Sequence, residues 1–231
     1  MTPRGAREQD PAFYDERYYA PEQQRRRAAR EHYMQQFIDR WLAALHLQPD
    51  SRYLDLSCGD MQMLAAATAA AAHACGLDFS LAALASGRQR HGPLAVVQGE
   101  AQRLPFADAS FDRLSCIGSL EHYPDASAAL HEIRRVLAPG GRVLFTVPNS
   151  GWPFLRFWPD PQPLHTIHAL HGWRRLLARH GFCIVAEFAD NHSLTRPYEG
   201  RLVRFLARRL FHVLTVLGGF SRSWQFGFVC E

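Results

Sequence analysis

The chain has 231 residues, 47% of them apolar, and a formal net charge of +4. It can bury one substantial core, and its charge is too mild to argue for nucleic acid. All 26 basic residues are arginine, and the lack of lysine excludes a P-loop phosphate site, a Schiff-base enzyme and the Tyr-x-x-x-Lys pair of a short-chain reductase.

Met1 to Asp10 is polar, without the apolar run of a secretory signal, and no stretch has the length and apolarity to span a bilayer. Cys58, Cys75, Cys116, Cys183 and Cys230 show no Cys-x-x-Cys spacing and are expected to be reduced thiols in a cytoplasmic protein. An aromatic segment, Phe13 to Tyr19, leads into a helical pattern over Pro21 to Leu47 through Tyr33, Phe37, Trp41 and Leu45. The run Arg25-Arg26-Arg27 with Arg30 reads as a solvated face. Strands and helices then alternate: strand 52–57, helix 61–72, strand 73–78, helix 80–90, strand 94–98, strand 111–117, helix 126–137. The turn Pro139-Gly140-Gly141 precedes an apolar strand at 142–147.

Beyond Pro148 an aromatic loop carries Trp152, Phe154, Phe157 and Trp158, followed by a helix over 168–180 that Gly181 closes. A strand at 182–188, a helix over 198–217 and a strand at 224–230 complete the pattern, the two late strands suiting an antiparallel hairpin at a sheet edge. The sum predicts an α/β fold with a doubly wound, mostly parallel, seven-stranded sheet covered on both faces. An N-terminal aromatic and helical cap is expected over 1–50 and the main domain over 51–231, with lid elements at about 150–170 and 195–220.

In such a sheet the ligand crevice lies at the carboxyl ends of the strands. Those ends are Ser57-Cys58-Gly59, then Asp78, then Gly99-Glu100, then Ile117-Gly118-Ser119. An acid after the second strand can accept from two ribose hydroxyls and would repel a 2′-phosphate. Gly59 alone, flanked by Ser57 and Met61, disfavours a pyrophosphate, which the three-glycine dinucleotide fingerprint admits.

Leu54-Asp55-Leu56-Ser57-Cys58-Gly59-Asp60, Gly76-Leu77-Asp78-Phe79-Ser80 and Gly99-Glu100-Ala101-Gln102-Arg103-Leu104-Pro105-Phe106 stand in order, followed by Leu120-Glu121-His122-Tyr123-Pro124-Asp125, Glu132 to Gly141 and Val147-Pro148-Asn149. Together they resemble the class I S-adenosylmethionine-dependent methyltransferases, in the branch of quinone-biosynthesis and related small-molecule enzymes. The resemblance implies a Rossmann-like fold and S-adenosylmethionine as cofactor. It implies that Asp55, Ser57 and Gly59 border the methionine part, that Asp78 holds the ribose and that Phe79 packs on the adenine. Glu100 and Ala101 would meet the adenine edge, while Ile117 and Gly118 would line the chain near the sulfonium. Ser57 and Met61 stand where the family usually has glycine, and Glu100 where it has aspartate.

Methyl transfer from a sulfonium needs an aligned nucleophile and little else; a hydroxyl acceptor also benefits from a general base. His122 is the first candidate for that base and Glu121 the second, against a purely structural turn before Pro124-Asp125. His165, His168 and His171 lack an accompanying carboxylate or cysteine, so no metal is expected. The family's loop after the fifth strand implies His165 as a substrate contact, and the aromatic surplus adds Tyr14, Tyr18 and Trp152 around a small apolar or aromatic acceptor, methylated on oxygen or carbon. The 198–217 helix carries Arg201, Arg204, Arg208 and Arg209 among apolar residues and reads as a packed lid or as a peripheral membrane contact. No Asn/Asp-Pro-Pro-Tyr turn or Pro-Cys pair argues for a nucleic-acid substrate. A non-catalytic cofactor-binding relative and a nicotinamide-dependent reductase are the competing readings.

Overall fold

The computed structural model describes residues 15, 34–70, 73–152, 166–190, 210, 213, 214, 217, 219 and 223–231. Helix α1 spans 34–45. It is followed by β1 (Arg52–Leu56), α2 (Gln62–Ala70), β2 (His73–Asp78), α3 (Leu81–His91), β3 (Val96–Gln98) and β4 (Phe111–Ile117). A single 3-10 turn, Leu120–His122, leads to α4 (Ala126–Val136), β5 (Leu137–Pro148), α5 (Leu170–Arg179), β6 (Ile184–Asp190) and β7 (Gln225–Cys230).

Seven strands form one sheet in the order β3-β2-β1-β4-β5-β7-β6. All neighbours are parallel except that β7 runs antiparallel to both β5 and β6, the expected hairpin at the sheet edge. The chain winds outward from β1 to β3, returns, and winds the other way from β4, so the switch in strand order falls between β1 and β4, the position at which doubly wound sheets bind their ligands.

Both faces of β1 are covered, which explains its unbroken burial from Tyr53 to Leu56. Leu54 and Leu56 enter a cluster with Leu114, Phe145, Ile133 and Trp173. Tyr53 faces the other way, among Trp41 and Leu45 of α1, Leu64 of α2 and Leu144 of β5. Helix α4 buries Ala126, Ala129, Leu130, Ile133 and Val136, one stripe at helical spacing, and Asp125 caps it by accepting the Ala128 amide. Helix α1 also reaches the far edge: the Arg40 guanidinium lies 4.5 Å from the Phe188 ring centroid and donates to Ala189 O at 3.1 Å.

Two local expectations shift. Strand β5 begins at Leu137, because Pro139-Gly140-Gly141 is absorbed as an irregularity in the ladder: Leu137 pairs with Phe111, and the next pair is Arg142 with Arg113. A Cβ on Gly141 would lie 2.8 Å from Ala138 O, so only glycine passes there. The 198–217 helix lies outside the described residues except for Leu210, Val213, Leu214 and Leu217, which are helical and exposed instead of packed as a lid.

Candidate active site

The turn after β1 is tighter than its sequence suggests. Ser57, Gly59 and Met61 all have positive φ, at 55°, 54° and 65°. For a residue with a side chain this conformation costs roughly 1–2 kcal/mol, which is why glycine suits all three places. Met61 is accommodated by moving away from the crevice. Its side chain is fully buried, and a Cβ on Gly87 of α3 would lie 2.5 Å from its Cγ. Gly87 supplies the space that Met61 fills. Ser57 Oγ hydrogen-bonds Tyr123 OH at 2.8 Å, tying the turn to the segment after β4.

Asp78 faces that turn from the end of β2. Its Oδ2 accepts the Gly59 amide at 2.8 Å and its Oδ1 the Ser80 amide at 2.9 Å. Ser80 Oγ also donates to Asp15, which brings one residue of the N-terminal segment to this rim. Asp60 is paired with Arg90 at 3.1 Å, so it is held on the α3 side.

Asp55 is buried within β1 and is reached by a relay. Ser115 Oγ donates to Asp55 Oδ1 at 2.7 Å, so Tyr53 OH is left to donate to Ser115 Oγ at 2.5 Å. The second oxygen, Oδ2, is buried without a hydrogen-bond partner. Burial raises the Asp55 carboxyl to about 7 against the pull of Ser115; Asp78 and Asp60 add repulsion, and the Leu64 amide acts the other way.

Past β3, Glu100 is exposed and Ala101 buried. The loop they open is clamped from α4. Leu104 N donates to Glu132 Oε2 at 2.7 Å, and Arg135 donates to Phe106 O at 2.7 Å, Leu104 O at 3.1 Å and Asp108 at 2.8 Å. Arg135 also grips Glu132 through two bonds of 2.8 Å, which holds the Glu132 carboxyl below its usual range. Between the adjacent ends of β2 and β3, Phe79 O accepts from Gln98 Nε2 at 3.1 Å.

At the end of β4, Gly118 has φ 59° and donates its amide to Thr146 O. Ile117 beside it is half-buried. Glu121 is buried and its Oε1 would lie 3.9 Å from a Cβ on Gly118, so the carboxylate faces the strand end. His122 Nε2 is 3.8 Å from the same Oε1. The structure therefore brings Asp55, Ser57, Gly59, Asp78, Gly118, Glu121 and His122 to one end of the sheet. Trp152 is packed, with 2% exposure and its ring T-stacked on Trp224 at 4.5 Å. Tyr14, Tyr18 and His165 lie outside the described residues. His168 stacks on Trp173 at 5.1 Å, and among the described residues no group of three metal-ligating side chains forms.

The sequence reading missed Tyr53, Ser115, Gly87, Tyr123 and the Glu132–Arg135 clamp. Two signals were available: Tyr53 and Asp55 share a strand face at period two, and Glu132 and Arg135 stand three apart on a helix.

A model of a methyltransferase domain matches residues 54–145. The demethylmenaquinone methyltransferase of Corynebacterium kroppenstedtii is 40% identical over 184 residues, covering 65% of this chain and 78% of that protein. The chain belongs to the class I S-adenosylmethionine-dependent methyltransferases. Within them it falls in the quinone-biosynthesis-like branch. Its match to the enzyme of the same name from Mycobacterium sp. (strain KMS), 40% identical over 111 residues, spans 47% of each chain, about half the length of that relative. Among solved structures, a Haloferax volcanii methyltransferase in complex with the Trm112 activator superposes with TM-score 0.74 at 17% identity, over 92% of this chain and 95% of that one. A Mesorhizobium loti methyltransferase gives 0.62 at 18% identity, over 86% and 97%. At these identities the structures attest the Rossmann-like methyltransferase fold.

S-adenosylmethionine is the cofactor of this family, and the residues present fit it. The left-handed turn opens a path to backbone amides, Asp78 offers carboxylate oxygens for a ribose diol, and the acids Asp55, Asp78 and Glu121 suit a ligand that carries an ammonium and a sulfonium. The orphaned Asp55 Oδ2 is the kind of buried acceptor that a cationic ligand satisfies.

Proposed function

We propose that this chain transfers a methyl group from S-adenosylmethionine to a small apolar or aromatic acceptor, on oxygen or carbon. The observation that carries the reading is the convergence of Asp55, Asp78 and Glu121 at the carboxyl ends of β1, β2 and β4 around the left-handed turn. In this reading Asp78 accepts from the ribose hydroxyls, Asp55 and the Ser57–Gly59 turn neighbour the methionine end, and Phe79, Glu100 and Ala101 surround the adenine. When bound, the cofactor supplies an activated methyl on sulfur. The protein's own tasks are to align the acceptor in line with it beside Ile117 and Gly118, to exclude water, and to hold a departing hydroxyl proton. His122 is assigned that proton at Nε2, with the Glu121 carboxylate 3.8 Å away stabilising the imidazolium.

The acceptor would be a quinone-type compound, as the name of the demethylmenaquinone methyltransferases to which the chain is similar suggests. Tyr14, Tyr18 and His165 remain proposed acceptor contacts. Trp152 acts, in this reading, by bracing the acceptor side through Trp224. A cytoplasmic location with a membrane-facing side belongs to the same proposal; among the described residues no helix has the length and apolarity to cross a bilayer.

The test is calorimetric titration with S-adenosylhomocysteine, followed by a methyl-transfer assay on a panel of naphthoquinols and phenols. Micromolar binding and turnover of an apolar quinol are expected. Absence of binding would remove the enzyme reading, and binding without turnover of any acceptor would favour the non-catalytic cofactor-binding relative.

A further inference from the structure

Strand β6 ends at Asp190 and β7 opens at Gln225, so residues 191–224 join two strands that pair directly. An ordinary hairpin needs about two to five residues for this. Both ends of the insert are fixed at the carboxyl end of β5, beside the proposed active site. Gln225 pairs with Pro148 and with Asp190, Asn149 Nδ2 donates to Ser223 O at 2.8 Å, and Trp224 carries the Trp152 ring. On the adjoining strand the Gly118 amide bonds Thr146 O, two residues before Pro148. The insert springs from the rim of the site.

Within it, Leu210, Val213, Leu214 and Leu217 are helical and exposed by 56, 50, 42 and 79%. Spacing of three, four and seven residues puts them on one face. An apolar stripe of this kind is a recognition surface and not scattered exposure. The chemistry of the surrounding sequence selects what covers it. Residues 200–230 contain Arg201, Arg204, Arg208, Arg209 and Arg222 and no aspartate or glutamate. Pairing the stripe with a second copy would bring two acid-free, arginine-bearing segments together. An anionic surface would neutralise them instead.

We propose that the stripe Leu210, Val213, Leu214 and Leu217 docks the protein on an anionic phospholipid bilayer, with the rim of the active site turned toward the membrane. The apolar residues enter the boundary between headgroups and acyl chains, and the arginine-rich segment supplies the electrostatic attraction. The membrane-facing sense of this docking rests on the active-site reading above; the docking itself does not.

The experiment is co-sedimentation of the full chain with vesicles of phosphatidylcholine, with and without phosphatidylglycerol, alongside light scattering of the lipid-free protein. Binding to the anionic vesicles, weakened by added salt, is expected from a protein that is monomeric without lipid. Leu214→Gln with Leu217→Gln is expected to lower vesicle affinity by about tenfold, leaving melting temperature and S-adenosylhomocysteine affinity unchanged. Equal vesicle binding by the variant would overturn the proposal. So would a lipid-free dimer that the substitutions dissociate, or a melting temperature that falls with them, since each assigns the stripe to another occupant. Titration with S-adenosylhomocysteine on the same preparation reads the cofactor site separately, so either proposal can fail while the other stands.

Discussion

The Gly59 amide and the Asp78 carboxylate meet at 2.8 Å across two strand ends, so the turn and the acid opposite it orient each other before any ligand arrives. Asp78→Asn replaces one carboxylate oxygen with a donor that faces the Gly59 amide or the ribose. Loss of a charge-assisted bond of this kind costs about 1.5–3 kcal/mol. Affinity for S-adenosylhomocysteine is expected to fall about ten- to hundredfold by calorimetry; unchanged affinity would remove Asp78 from the ribose.

Met61 and Gly87 form a lock. Gly87→Ala would place a methyl 2.5 Å from Met61 Cγ, and overpacking of a buried helix typically costs about 1–3 kcal/mol. In a Met61→Ala background the same change should cost far less. Chemical denaturation of the two single variants and the double variant measures the coupling, and simple additivity would show that the two residues do not share the space.

Asp55 predicts a pH dependence with a definite sign. Its carboxyl is raised to about 7 by burial, against about 3.9 in an unfolded chain. Between those values the folded form holds a proton that the unfolded form has released, so this group's contribution to stability falls as pH rises from about 4 to about 7. An ammonium-bearing ligand favours the ionised form, so binding of S-adenosylhomocysteine should strengthen as pH rises through the same window. Asp55→Asn is expected to flatten both profiles, read by melting curves and by calorimetry at several pH values.

Arg135 and Glu132 hold the loop that follows β3 at Leu104, Phe106 and Asp108. Arg135→Met releases the Leu104 and Phe106 carbonyls and the Asp108 carboxylate of the loop, along with both bonds to Glu132. The expected signature is a rise of about tenfold in KM for S-adenosylmethionine with kcat nearly unchanged, because loosening this loop affects binding more than alignment of the methyl. A matching fall in kcat would instead place the clamp in the chemical step.

His122→Ala separates catalysis from structure. A general base contributes about 10²–10⁴-fold, so kcat for a hydroxyl acceptor should fall within that range while S-adenosylhomocysteine affinity holds. A lowered melting temperature with kcat intact would make His122 a turn residue.

The alternating strands and helices were legible because both faces of the sheet are covered and each strand reads as an apolar run, as in Tyr53 to Leu56. The strand-end residues were legible because topology alone sends Asp78 and Gly118 to the same end of the sheet. The side-chain partnerships were not. Nothing near Met61 in the sequence announces that Gly87 makes room for it, and nothing before the fold links Ser115 to Asp55 on a neighbouring strand. The Pro139-Gly140-Gly141 turn was misplaced for the opposite reason: a strong local signal was overridden by the ladder that Leu137 and Arg142 both join.

Helix α1 has one more consequence. Ile38, Trp41 and Leu45 sit among Tyr53, Leu64 and Leu144, while Arg40 grips the outermost strand at Phe188 and Ala189. Phe188 in turn lies where a Cβ on Gly227 would be 2.2 Å from its ring. One helix thus fastens the middle of the sheet to its rim. A chain trimmed to start at Ser51 would keep every proposed cofactor residue yet leave an apolar wound and an unsecured outer strand, an invitation to aggregation; grafting another relative's N-terminal segment would succeed only with the Phe188–Gly227 edge carried along.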